Sequence, residues 1–363
     1  MTVLDRYVLR ELAGPLVSGI LAFTGLFLSV DLVQIVRMTA EYGAPMYLTL
    51  QLFALRLPQV IVYTFPMAVL LAALLTLSRL SSTSEIVAMK AGTVSFYRIV
   101  GPVLAVGLFV SGISLAVEEW VVPAANYEYR RVVTEDVRGG QLPTVSRNVI
   151  LKEYQGGILR AFLYASRYDN QAHTMHDVTV VEMERGRPVR TTYASRVVWR
   201  GNTWLMEDGV IHVHDDEPGL AIDFRQGTQP VSIGYRPEQV MQAQKSPEEM
   251  TIRELRDHIS VLNARSDDAR EHVLQLHLKF AIPAASFIFA LLAAPLGVQS
   301  HRSATSVGFG MSIIVIFAYY ILMAVGTALA ERGQLHPVAG AWLQNVVLGL
   351  VGVILMWRAG KRS

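Results

Sequence analysis

Apolar residues in this chain gather into six long runs: Leu12–Val36, Tyr47–Leu77, Ile99–Val117, Leu278–Val298, Val307–Ala330 and Val338–Trp357. Three precede and three follow a polar block from Glu118 to Leu276. Each run reaches the roughly 18–20 residues that a helix needs to cross about 30 Å of hydrocarbon. Uninterrupted runs of that length predict helices, because a spanning segment must satisfy its backbone hydrogen bonds internally. The block between them reads differently. From Val149 to Gly234 it alternates over short stretches, as in Asp177-Val-Thr-Val-Val-Glu-Met183 and Arg196-Val-Val-Trp-Arg200. Turn-forming groups separate these stretches, among them Gln155-Gly-Gly157, Arg185-Gly-Arg-Pro188 and Asp215-Asp-Glu-Pro-Gly219. Period-two strands between frequent turns predict an antiparallel all-β fold and leave sandwich, jelly roll and barrel open.

Helical pieces flank this β region. Val122 to Val137 extends the third run, with Pro123 expected to kink or interrupt it. Ser246-Pro-Glu-Glu249 has the spacing of a capping box with proline at the first helical position. Ile252, Leu255, Ile259 and Leu262 then form an apolar stripe that must pack on something. A polar break from Asn263 to Asp268 precedes a helix leading into the fourth run. The expected fold class is therefore a polytopic α-helical membrane protein, six transmembrane helices arranged 3+3, with an inserted all-β domain.

Composition narrows the chemistry. The formal net charge is only +2 and no Lys/Arg-rich tract occurs, so no nucleic-acid partner is indicated. The absence of cysteine excludes disulfides, thiolate metal sites and thiol catalysis. No G-x-x-x-x-G-K-[ST], G-x-S-x-G or H-E-x-x-H is present, so the chain has no P-loop, nucleophile elbow or zincin site of its own. We expect no enzyme activity, no cofactor and no metal. His212-Val-His-Asp-Asp-Glu217 carries ligand-type residues, but Pro218-Gly219 follows it and a solvated hairpin turn accounts for it.

Basic residues in the short loops set the orientation. With the amino terminus inside, Arg6, Arg10, Arg79, Lys90, Arg98, Arg302, Arg358, Lys361 and Arg362 are cytoplasmic, against only Arg37 and Arg332 in the short outer loops. Both termini are thus expected in the cytoplasm and the large block outside it. Asp5, Arg6 and Arg10 precede a run of full membrane length with no A-x-A-like site, which reads as a retained anchor.

Ionisable residues inside spans are costly and therefore informative. Asp31 in the first run and Arg56 in the second lie at similar depth, which predicts an ion pair. Arg56 either snorkels to the interface or, with Arg37, meets a phosphate-bearing lipid. Lys279 reads as interfacial. Gly107/Ser111 and Gly112/Ala116 have the small-xxx-small spacing of close helix packing.

The loop between the second and third runs carries the most local information. Ser82 and Glu85 have capping-box spacing and Gly92 is placed as a stop, predicting a short helix that exposes Ile86, Val87 and Met89. A short, partly apolar helix on the cytoplasmic face suits docking of another protein.

The chain resembles the LptF/LptG (YjgP/YjgQ) family of lipopolysaccharide-export permeases over nearly its whole length. The resemblance rests on Leu4-Asp-Arg-Tyr-Val-Leu-Arg-Glu11 and on Arg79-Leu-Ser-Ser-Thr-Ser-Glu-Ile-Val-Ala-Met-Lys-Ala-Gly92. It extends to His277-Leu-Lys-Phe-Ala-Ile-Pro283 through Pro295-Leu-Gly297, and to Ala341-Trp-Leu-Gln-Asn345. It implies an inner-membrane permease that pairs with a second permease of the family, alike or different, on a dimeric cytoplasmic ABC ATPase. The inserted block becomes a periplasmic jelly-roll-like domain that hands lipopolysaccharide to a similar fold in a bridge protein. On this basis residues 1–118 form helices one to three, with a coupling helix near 82–92. Residues 119–276 form the periplasmic domain, and 277–363 helices four to six. The coupling set becomes Arg79, Ser82, Glu85, Ile86, Met89 and Lys90. The lipid-lining set becomes Phe27, Asp31, Arg37 and Arg56 with Phe317, Tyr320 and Met323. The rival readings are a permease of another ABC system acting on envelope lipids or proteins, and a membrane-embedded enzyme.

Overall fold

The computed structural model describes residues 3–137, 145–155, 158–169, 172–184, 187–201, 203–213, 220–223, 228–231, 245–264, 268–298 and 306–361. Its helices are α1 (Val3–Glu41), α2 (Met46–Ser82), α3 (Glu85–Ala91), α4 (Phe96–Trp120), α5 (Val122–Val132), α6 (Ile252–Ala264), α7 (Arg270–Val298), α8 (Ser306–Glu331) and α9 (Pro337–Lys361). Helices α1, α2, α4, α7, α8 and α9 are long and apolar enough to cross a membrane. Each outlasts its apolar run, because the polar ends continue the same backbone hydrogen-bond ladder. The chain divides into two compact units, Met1–Arg130 with Arg270–Ser363, and Arg131–Ala269.

Helix α2 is the axis of the first unit: 78% of its span is buried, against 11% for α1. Val69, Leu70, Leu74 and Leu77 of α2 meet Val100 and Val103 of α4 and Phe289, Ala293 and Ala294 of α7 in one core. Small residues set the tightest crossings. A Cβ on Gly340 of α9 would fall 2.6 Å from the Gly326 carbonyl oxygen of α8, so only glycine permits this approach. Gly107 of α4 packs against Ala290 and the Ser286 carbonyl, and Ser111 Oγ accepts from the Phe287 N–H at 3.2 Å. Gly112, by contrast, faces open space.

Pro123 acts as the sequence predicts. Having no N–H, it cannot donate to the preceding turn, and α4 ends at Trp120 before α5 restarts at Val122. The expected capping box at Ser246 does not form. Pro247–Glu249 is a single 3-10 turn, and Met250 is extended. The box closes five residues later: Glu254 Oε2 accepts the Thr251 N–H at 2.9 Å, and Thr251 Oγ1 accepts the Glu254 N–H at 3.2 Å. Both sites share the Ser/Thr-x-x-Glu pattern, and α6 starts where the apolar stripe starts.

The second unit carries seven antiparallel strands: β1 (Val145–Gln155), β2 (Ile158–Asp169), β3 (Thr174–Glu184), β4 (Arg187–Arg200), β5 (Thr203–Val213), β6 (Leu220–Asp223) and β7 (Thr228–Val231). Strands β1 to β5 form a meander in sequence order, and both β6 and β7 pair with the free edge of β5. One transverse row interrupts this sheet. Each of the four ladders that join β1 to β5 skips a pair, at Asn148/Ser166, Ser166/Asp177, Asp177/Ser195 and Ser195/Asp208. Asp177 and Asp208 take positive φ of 48° and 51° there, a conformation that Asp tolerates better than most residues. An irregular residue shifts the two-residue alternation by one. Burial passes accordingly from Leu163 and Ala165 to Tyr168, from Met175 to Val178, and from Ala194 to Val197. Residues from both sides of the crease then join one apolar cluster around Trp204.

Candidate functional site

Helix α3 sits between the end of α2 and the start of α4, at the end of the bundle where the amino and carboxyl termini of the helices meet. Its sequence-predicted capping box is absent. The N-cap is Ser84, in the left-handed region at φ 63° and without a side-chain cap bond, which makes Glu85 the first helical residue. Ser82 belongs to the last turn of α2 and donates to the Arg79 carbonyl at 2.8 Å. A two-residue link between α2 and α3 requires the left-handed turn, and that geometry displaces the box. Gly92 is the C-cap, donating to the Ala88 carbonyl at 3.0 Å.

The carboxylate of Glu85 accepts from the Tyr7 hydroxyl at 2.6 Å and from Thr83 Oγ1 at 3.0 Å. Among the described residues these two hydroxyls are its partners, and it makes no ion pair. An ionised carboxylate offers about four acceptor positions, so capacity for an external cation remains. Ile86, expected at the docking face, is only 2% exposed and packs with Leu80 and Ile99; Met89 lies half-buried beside them. A seven-residue helix cannot hold its place by its own hydrogen bonds, so its apolar face is used as an anchor. Val87, 63% exposed, is the large apolar residue that faces outward. Lys90 stands 5.8 Å from the Phe96 ring centroid, and Arg79 pairs with Glu11 at 2.7 Å.

At the opposite end of the bundle, Arg56 Nε lies 3.2 Å from Asp31, and Arg56 also donates to Gln59 at 2.8 Å. Its guanidinium stands 5.8 Å from the Tyr129 ring centroid. Arg37 does not join them. It lines a shallow cavity of about 650 Å3 with Ser29, Val30, Val33, Gln34, Met38 and Glu41, all on α1. Phe27 and Phe317 point out of the bundle. Tyr320 and Met323 turn inward against the core instead, with the Tyr320 hydroxyl donating to the Tyr63 carbonyl at 3.3 Å.

Lys279, expected at the interface, is 4% exposed and pairs with Glu118 at 2.9 Å. The sequence held the clue that an acidic residue ends α4 just as a basic one begins the apolar part of α7. Of the His212–Glu217 segment His212 and Val213 are described, at the end of β5, with the His212 ring edge-on to Tyr193 at 5.8 Å; 214–217 lie outside the described residues. Among the described residues no cluster of His, Cys, Asp and Glu could hold a metal ion. The contacts Asp5–Arg98, Tyr7–Glu85 and Glu11–Arg79 were not foreseen.

Comparison with known proteins accounts for this layout. The chain is 24% identical to the lipopolysaccharide export system permease protein LptG of Escherichia coli K12, over 98% of both chains. It is 21% identical to LptG of Haemophilus influenzae, again over 98% of both. It is 22% identical to LptF of Escherichia coli K12, over 98% of this chain and 95% of the relative. The profile of the lipopolysaccharide export system permeases LptF/LptG matches residues 6–358. A chain with six helices long and apolar enough to cross a membrane and an inserted antiparallel sheet, matched by that profile over nearly its whole length, belongs to the LptF/LptG family of lipopolysaccharide export permeases.

Proposed function

We propose that this chain is a membrane permease subunit of an ATP-driven ABC transporter that extracts lipopolysaccharide from the inner membrane and passes it to a periplasmic bridge protein. The excess of basic residues in the loops on the α3 side supports a cytoplasmic location for that face and for both termini. The β domain then lies in the periplasm, where it would receive the lipid. Removing acyl chains from a bilayer costs roughly 0.8 kcal/mol per methylene, so a lipid with several chains needs tens of kcal/mol. A shielded apolar path supplies part of this, and the remainder must come from nucleotide hydrolysis. Since the chain has no P-loop, a cytoplasmic ATPase dimer supplies that energy. A second permease of the family, identical or different, completes the path.

The observation that carries the proposal is Glu85: a carboxylate without an ion-pair partner among the described residues, on a short anchored helix whose outer face is Thr83, Ser84, Val87 and Ala88. Such a helix seats in a groove of the ATPase, and a basic side chain there pairs with Glu85. Arg79, Ser82, Ile86, Met89 and Lys90 hold the helix in place. Asp31 and Arg56, with Phe27, Arg37 and Phe317, form the lipid-facing set, and Tyr320 and Met323 support it from inside. The test is Glu85→Ala and Glu85→Lys in the assembled complex. Both variants insert in the membrane but release less lipid per ATP hydrolysed, and Glu85→Lys copurifies less ATPase. Normal copurification with normal release in both would reject the proposal.

A further inference from the structure

The base of α1 is fastened to the whole α2–α4 connection. Asp5 pairs with Arg98 at 3.0 Å after the loop, Glu11 pairs with Arg79 at 2.7 Å before it, and the Tyr7 hydroxyl donates to Glu85 at 2.6 Å in its middle. Thr76 Oγ1 also donates to the Glu11 carbonyl at 3.3 Å. These contacts are unequal. Arg79 and Arg98 are each about half exposed, and ion pairs in water contribute little. The Tyr7–Glu85 bond is short, charge-assisted and partly buried, and bonds of that kind are roughly twice as strong as neutral ones. The Tyr7 ring adds a second hold by packing on Leu80, Ile86 and Ile99, the cluster that anchors α3.

We propose that Tyr7 is the positioning residue that makes α1 move with α3. The inference rests on the reading of α3 as the element seated in the ATPase. Helices α2 and α4 follow α3 through the chain itself, being joined to it directly. Helix α1 has no such link. It packs mainly on α2, and most of its span is exposed. Packing on α2 carries α1 along its length, and the Tyr7–Glu85 contact is the direct tie that holds the amino-terminal end of α1 to α3. Glu85 need not choose between Tyr7 and an ATPase cation, since Tyr7 occupies Oε2 and, among the described residues, only Thr83 approaches Oε1.

The chain contains no cysteine, so paired spin labels at Arg6→Cys and Ala91→Cys, both outside the proposed seat, report the α1–α3 distance in a complex whose other subunits are cysteine-free. With Tyr7 present, that distance is the same in the nucleotide-free and ATP-trapped states. In Tyr7→Phe it changes between the states, and lipid released per ATP falls about tenfold, on the scale of one charge-assisted hydrogen bond. ATPase copurification and hydrolysis rate stay normal. An unchanged distance with normal release in Tyr7→Phe overturns the inference. Loss of ATPase copurification in Tyr7→Phe also overturns it, because Tyr7 would then build the seat rather than carry motion. If Glu85→Ala uncouples release while Tyr7→Phe does not, only the role of Tyr7 fails. If Glu85→Ala also releases lipid normally, the coupling reading itself fails.

Discussion

The ammonium of Lys279 in α7 lies 2.9 Å from the carboxylate of Glu118 in α4, and the two side chains are 4% and 14% exposed. Removing one member of a buried pair takes away much of the compensation of the other, at a cost of up to about 3–5 kcal/mol, whereas replacing both partners by apolar groups is often neutral. Lys279→Ala should therefore lower the unfolding temperature in detergent sharply, and Lys279→Met with Glu118→Leu should restore most of it. Equal losses in the single and double variants would show that the pair does not hold α4 to α7.

Helix α3 packs Ile86 on the bundle and leaves Val87 exposed on the other face. Ile86→Ala opens a cavity beside Leu80 and Ile99 and should destabilise the local structure by about 2–4 kcal/mol. Faster hydrogen exchange across Glu85–Ala91 would register this. Val87→Asp changes an exposed position and should leave stability within about 0.5 kcal/mol, while reducing ATPase copurification. If Val87→Asp binds the ATPase normally, the outer face of α3 is not the seat.

Asp31 engages the Arg56 guanidinium that a lipid phosphate would need. The pair is partly exposed, so its net contribution to stability is about 1 kcal/mol or less. Asp31→Asn should then leave folding intact and raise retention of a phosphorylated lipid, and Arg56→Gln should lower it. Mass spectrometry of lipid retained by the purified complex distinguishes these directions. Identical retention in the two variants would remove Arg56 from the lipid-facing set.

His176 in β3 is held below its ordinary value of 6.5 by burial and by the neighbouring Arg167 and Arg196 guanidinium groups. The unfolded chain thus takes up a proton at a higher pH than the folded one, and stability falls as the pH drops below about 6.5. Hydrogen exchange across Thr174–Glu184, corrected for its intrinsic pH dependence, should accelerate between about pH 7.5 and pH 5.5. His176→Gln should weaken that dependence. An unchanged pH response in the variant would assign the acid sensitivity elsewhere.

Much of the architecture was legible because it follows from local periodicity. Six runs of membrane length become six helices, and alternating stretches between turn residues become an antiparallel sheet. The Asp31–Arg56 pair was legible too, since equal depth in adjacent antiparallel helices is arithmetic on residue numbers. The capping boxes were less so. Ser246 and Ser82 carry the right spacing, but the helix start is decided by where the chain must turn, which placed one box at Thr251 and excluded the other.

Sequence by itself determined the element types and the 3+3 layout, because hydrophobic period and composition act along the chain. Tertiary structure alone decided that Ile86 anchors while Val87 faces out, that Lys279 is buried against Glu118, and that Tyr7 meets Glu85 across 78 positions. It also decided the crease that turns Asp177 and Asp208 into a bend shared by neighbouring strands. These depend on which surfaces meet once helices and strands pack. A contact energy between residues distant in sequence leaves no periodic trace in the chain.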